Sequence, residues 1–106
     1  GMVFLPHVNG SVKYSLINYD GERVIMQGLT NIKNVGEKAA QLIYEERKKN
    51  GKFTDLDEFI QRCKSRSVTT RVIYALEDAG ALCFNKKKYL KAVENYNIGI
   101  LSRDRS

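Results

Sequence analysis

Val12, Tyr14 and Leu16 alternate with Lys13 and Ser15, the period-two pattern of a strand with one buried face. Asn18-Tyr19-Asp20-Gly21 comes next with turn chemistry, and Arg23 to Gln27 reads as the returning strand. Together they predict a β-hairpin over residues 12–27. A lone pair of strands is marginal in water, so this one must lean on the C-terminal part of the chain.

From Gly28 the period becomes that of helices. Leu29 and Ile32 lie one turn apart in a very short first helix, which Asn34-Val35-Gly36 interrupts. A second helix is predicted from about Gly36 to Lys49, with Val35, Ala39, Leu42 and Ile43 on its buried stripe, an exposed Glu45–Lys49 pair, and Asn50-Gly51 at its end. Residues 28–49 thus read as helix, tight reversal, helix. A third helix is expected over 55–63, capped by Thr54, with Asp55, Asp57 and Glu58 in a first turn whose dipole favours acids. Leu56, Phe59, Ile60 and Cys63 form its inner face. Lys64 to Ser67 is a loop, after which Thr69 caps a helix over 69–79 that buries Val72, Ala75, Leu76 and Ala79 and stops at Gly80. Asn85 opens a last helix over 86–96, with Tyr89, Leu90, Val93 and Tyr96 inward. Its first turn holds Lys86, Lys87 and Lys88, which oppose the helix dipole. Residues 98–106 show no clear period and are expected to form a loosely held tail, and Gly1 before Met2 looks like a tag remnant. The pattern specifies one α+β domain, residues 1–97, mostly helical, with a β-hairpin packed on four or five short helices.

Composition removes several function classes. With 106 residues and 42% hydrophobic content, one core forms without obligatory staples. No segment approaches the roughly 20 apolar residues of a membrane span, and Met2 to Leu5 lacks the features of a secretory signal. A cytoplasmic location is expected. Cys63 and Cys83 lack CxxC spacing and a clustered histidine, so both read as reduced small hydrophobes and no metal site is expected. The net charge of +6 is unevenly placed: residues 1–27 are balanced, whereas 66–106 carry eight basic and four acidic side chains. Such a surplus suits a polyanion, although many basic domains bind nothing.

The chemistry lies in Gly28 to Ala40, GLTNIKNVGEKAA. A helix that begins directly after a tight reversal leaves its first N–H groups outward and unpaired, and a residue at positive φ makes the reversal. Phosphate oxygens can accept from the amides of Val35, Gly36, Glu37 and Lys38, with no side chain at Gly36 to block them and the dipole adding attraction. Lys33 and Lys38 flank this cradle as point charges. Such a grip positions a nucleic acid without reading its bases.

Leu29, Ile32, Val35, Gly36, Ala39 or Ala40, and Ile43 match the helix-hairpin-helix pattern of two apolar positions, Gly-apolar-Gly, then alanine and an apolar residue. Asn34 stands where that pattern has its first glycine and is the non-glycine residue that best tolerates the left-handed region. More widely, LPHVNGS (Leu5 to Ser11), a strand pair, GLTNIKNVG, EERKKNGKFTDLDEF and TTRVIYALEDAGAL resemble, in that order, the helix-hairpin-helix region of the bacterial replicative DNA polymerase III alpha subunit. The likeness covers nearly the whole chain. It implies a non-sequence-specific DNA-backbone module that helps hold primer-template DNA, single- or double-stranded, beside other polymerase domains, and a monomer as a fragment. It also implies that catalysis belongs elsewhere: the intact protein would be a DNA-directed DNA polymerase, a nucleotidyltransferase, whose magnesium-binding carboxylates lie upstream. The family's hairpins often hold a monovalent cation on backbone carbonyls, and no other cofactor is required.

Two other readings stand beside this one. Gly36 to Phe59 also looks like the helix-hairpin-helix domains of bacterial competence DNA-uptake proteins, but these continue into a second glycine-containing hairpin where Arg62 to Ser67 has no glycine. The third reading is a protein-interaction or architectural domain within the polymerase. Secondary DNA contacts are placed at Arg66 and Arg71, around the cap of the fourth helix, and at Lys86, Lys87 and Lys88; for each, a solvated surface charge is the competing explanation. His7, the single histidine, reads as a surface residue.

Overall fold

Asp20 and Gly21 take φ of 51° and 79°, the pair of positive values that a two-residue hairpin turn demands. They close β2 (Ser15–Tyr19) onto β3 (Glu22–Met26), with Leu16 opposite Ile25 and Tyr19 opposite Glu22. In this computed structural model the backbone is described for residues 2–104 and the side chains for residues 2–100. Gly1, read as a tag remnant, and the last two residues of the expected tail lie outside the described residues.

The hairpin gains a third strand that hydropathy does not announce. β1 (Val3–Phe4) runs parallel to β3, giving the order β1-β3-β2. The expected first strand began at Val12, whereas β2 begins at Ser15. Residues 11–13 instead serve the next element: Leu29 N–H donates to Ser11 O at 3.0 Å and Thr30 N–H to Val12 O at 3.1 Å. That approach needs glycine at 28, because a Cβ there would sit 2.4 Å from the Lys13 backbone.

The very short first helix is a single 3-10 turn, Leu29–Asn31. Four α-helices come after it: α1 (Glu37–Asn50), α2 (Leu56–Cys63), α3 (Thr70–Asp78) and α4 (Lys86–Asp104). Gly51 at φ 91° and Gly80 at φ 80° end α1 and α3 as the sequence signals require. Two local expectations need correction. Asp55, not Thr54, caps α2: its carboxylate accepts from Glu58 N–H at 2.8 Å, while Glu58 Oε1 accepts from Thr54 N–H at 3.0 Å. Glu45 accepts from Gln41 at 3.1 Å and makes no ion pair with Lys49 among the described residues.

The last helix does not stop near residue 96 but runs to Asp104, so most of the expected loose tail is helical. Asn97 gives the extension a purpose. Its amide donates to Val3 O at 2.9 Å and its Oδ1 accepts from Val3 N–H at 2.9 Å, so one side chain pairs the backbone of β1.

Two apolar clusters hold the layers. The larger joins Val8, Leu29, Val35, Ile43, Phe53, Phe59, Val68, Leu76 and their neighbours beneath the helices; the smaller packs Phe4, Val24 and Met26 on Val93 of α4. The segment between β1 and β2 stitches them together: Val8 N–H donates to Ala81 O at 3.0 Å, and the Asn9 carboxamide brackets Phe53 through both its N–H and its carbonyl. His7 belongs to this seam and is not a surface residue. Its half-buried ring donates from Nε2 to Cys83 O at 2.7 Å and accepts at Nδ1 from Asn9 N–H at 3.0 Å, an arrangement only the neutral imidazole satisfies. Burial holds its pKa below the ordinary histidine value, partly offset by the bond to Cys83.

Candidate nucleic-acid interface

Two buried side chains bracket the reversal before α1. Ile32 and Val35 are 8% and 4% exposed and anchor it to the core, whereas Lys33, Asn34, Gly36, Glu37 and Lys38 all face solvent. Asn34 alone supplies the positive φ, at 75°; Gly36 is extended, at φ −81° and ψ 173°. Ile32 N–H donates to Leu29 O and Val35 N–H to Ile32 O, each at 3.1 Å. Val35 is therefore a buried anchor whose amide is already used, which removes it from the expected donor set.

Past Val35 the accounting is different. The first helical bond of α1 is Ala40 N–H to Gly36 O at 3.0 Å, and no side chain caps the helix. The amides of Gly36, Glu37, Lys38 and Ala39 consequently have no acceptor within the chain among the described residues. The donor set is displaced by one residue from its expected position. Gly36 is not demanded by packing or by dihedral strain, since a Cβ there would meet nothing within 4 Å and its φ suits any residue. What glycine provides at this place is bare, approachable backbone at the positive end of a helix dipole.

The flanking charges are richer than the sequence suggested. Lys33 and Lys38 are exposed beside the reversal. Lys13, which sequence pattern placed in a strand, lies 3.9 Å from the Glu37 carboxylate and so stands beside the first turn of α1. Only the return of residues 11–13 along the 3-10 turn brings it there, and no local signal predicts that pairing. Among the secondary candidates, Arg71 of α3 reaches the hairpin: its Nη2 donates to Asn34 Oδ1 at 3.3 Å. A groove of about 470 Å³ lies between the reversal, at Ile32, Lys33 and Asn34, and the end of α3, at Ala75, Asp78 and the C-cap Ala79. Arg66 is exposed in the α2–α3 loop, and Lys86, Lys87 and Lys88 line the exposed start of α4, where Asn85 caps Lys88 N–H at 3.0 Å. No hydrogen bond or ion pair joins these four to the hairpin among the described residues.

The remaining polar machinery is structural. Arg62 donates to Glu46 and Glu58, each at 3.1 Å, and to Gly51 O at 2.6 Å, while its guanidinium lies 4.2 Å from the Phe53 ring centre. It ties the end of α1 to α2. Burial pushes the Cys63 thiol up to about 12, which keeps it an unreactive core group, and Cys83 is also unpaired. Among the described residues no group of three or more His, Cys, Asp or Glu side chains could hold a metal ion, and no helix is long and apolar enough to cross a membrane.

Comparison with known proteins fits this geometry. The family described as helix-hairpin-helix motif matches residues 2–89, which takes in β1, the hairpin and the start of α4. The DNA polymerase III subunit alpha of Aquifex aeolicus is 46% identical over 69 residues, covering 65% of this chain and 6% of that protein. Its counterpart in Vibrio cholerae is 40% identical over 82 residues, 77% of this chain and 7% of the other, and that of Thermus aquaticus is 44% identical over 62 residues, 58% and 5%. The chain thus spans less than a tenth of the length of these relatives. With the reversal, its buried anchors and the open turn of α1 all inside the matched segment, the chain belongs to the helix-hairpin-helix family.

Proposed function

We propose that this chain grips the sugar-phosphate backbone of DNA without reading base sequence, as part of a replicative polymerase in which it helps hold the primer-template. The observation that carries the reading is the open first turn of α1: four unpaired amides behind a glycine that neither packing nor backbone geometry requires. Phosphate oxygens are suited to accept from such a set, and Lys33, Lys38 and Lys13 add positive charge around it. The relatives are named as DNA polymerase III subunits, and the likeness extends over strands and helices alike, which favours this setting over a competence-type DNA-uptake domain. In this reading nucleotide addition and its magnesium ions belong to other parts of the longer protein. The present residues contribute position only.

Titration of the 106-residue chain with a mixed-sequence DNA duplex, monitored by residue-resolved NMR, tests the proposal. Shifts should concentrate at Gly36, Glu37, Lys38 and Ala39, with an affinity that falls steeply with salt and changes little between two unrelated sequences. Shifts confined to other surfaces would move the contact.

A second observation favours an additional protein contact. Leu16 is 60% exposed and Ile25 45%, and with Val3, Tyr14 and Tyr96 they line an uncharged apolar groove of about 400 Å³ on the sheet. Such a face suits an apolar surface of a neighbouring polymerase domain, not a phosphate backbone. Leu16→Lys should then weaken association with that domain and leave DNA affinity unchanged.

A further inference from the structure

Asn34 and Arg71 are 37 residues apart and meet at the hairpin, with Arg71 Nη2 donating to Asn34 Oδ1 at 3.3 Å. Both residues are exposed, so neither is held in place by core packing. Asn34 occupies φ 75°, a region that glycine enters at no cost and asparagine enters more readily than other side chains. The carboxamide is exposed and buries nothing. Its one polar contact among the described residues is the Arg71 guanidinium.

Arg71 is equally uncommitted. It is exposed in the first turn of α3, where Thr69 already caps Val72 N–H at 3.3 Å, and no carboxylate lies within 4.0 Å of it among the described residues. Arg62, by contrast, is consumed by carboxylates and carbonyls. One of the five N–H donors of Arg71 is held by Asn34, which itself lines the groove between the reversal and α3, and that bond keeps the planar fork at the hairpin.

We propose that Asn34 is a positioning residue for Arg71, and that the held guanidinium is a further DNA-phosphate contact, supplying the hairpin with a cation borrowed from α3. The inference rests on the reading of the α1 turn as a phosphate site and deepens it: backbone amides take one phosphate oxygen set, and the guanidinium takes a second, bidentately. The site then spans two helices in place of one.

A double-mutant cycle on the full 106-residue chain tests this, using a fluorescein-labelled mixed-sequence duplex at several salt concentrations. Arg71→Ala should weaken binding about fivefold and lower the salt slope by about one phosphate. Asn34→Gly leaves the backbone geometry favourable and should reproduce most of that loss, and the double variant should be little worse than either alone. Arg71→Lys should restore the salt slope but not the full affinity, since lysine lacks the fork. Additive losses at 34 and 71 would overturn the positioning role. Unchanged affinity and slope in Arg71→Ala, with Gly36→Asp strongly impaired, would overturn the phosphate contact and leave the α1 site standing; if Gly36→Asp also binds like the parent chain, the reading of the hairpin itself fails.

Discussion

The chain reverses direction into a helix twice by similar means and finishes the two reversals differently. Before α1, Val35 is buried and the next residue, Gly36, is the N-cap; before α3, Val68 is buried and the next residue, Thr69, is the N-cap. Thr69 closes its helix with its own hydroxyl, which accepts from Val72 N–H at 3.3 Å, and Ser65 Oγ accepts from Val68 N–H at 3.2 Å inside the turn. Gly36 closes nothing. Sequence alone makes the difference: threonine brings its own acceptor, and glycine leaves the amides for an external one. The α3 turn thus closes the amide of Val72 with its own side chain, whereas the matching amide of α1, at Ala39, is left to solvent or to an external acceptor.

Breaking the shared feature should have the largest effect. Val35→Ala and Val68→Ala each remove buried methyl groups and should cost about 2 kcal/mol of stability, measured by denaturant unfolding. A much smaller loss at one site would mean that the two anchors are not equivalent. Thr69→Ala removes the cap that Gly36 never had, and should cost about 1 kcal/mol with DNA affinity unchanged. An affinity loss there would show that DNA binding depends on the cap of α3 as well as on the Arg71 side chain.

Acid should loosen the seam that both turns share. His7 is held neutral in the fold with its pKa depressed by burial, so the unfolded chain takes up the proton first. Its contribution is complete above the ordinary value of about 6.5 and is lost as pH falls from there through the folded value. Thermal midpoints should therefore drop as pH falls from about 6.5 towards the start of carboxylate titration, and His7→Gln should flatten that part of the profile; an unchanged slope in the variant would assign it to another group. Glu46, held low by Asn50 and Arg62, adds its effect only in the carboxylate range. The smallest change is expected for Lys38→Ala, an exposed point charge whose loss should weaken DNA binding about twofold.

What the sequence made legible was whatever has a local cause. Asp20-Gly21, Gly51 and Gly80 announce their turns, Thr69 its cap, and the 3.6-residue stripes the faces that become the core. Asn34 at positive φ was readable for the same reason. Features built by distant partners were not. β1 is two residues long and pairs in parallel with β3, so no alternation marks it, and its other partner, Asn97, is 94 residues from Val3. His7 looked exposed because the groups that surround its ring, Cys83, Phe84 and Tyr89, come from the far end of the chain. In the site, Lys13 and Arg71 arrive from other elements, and the Val35 amide was miscounted as free because its acceptor, Ile32 O, depends on the shape of the reversal.

The central claim is that the α1 turn is left open for phosphate, and Gly36→Asp addresses it most directly. Aspartate suits an extended N-cap, and no atom lies within 4 Å of the new Cβ, so the fold should be kept or slightly strengthened. Its carboxylate would occupy the amides and repel the ligand. Salt-dependent DNA titration should show affinity reduced about tenfold or more, far beyond the effect of Lys38→Ala, with an undiminished unfolding midpoint. Parental affinity in a well-folded Gly36→Asp chain would contradict the account.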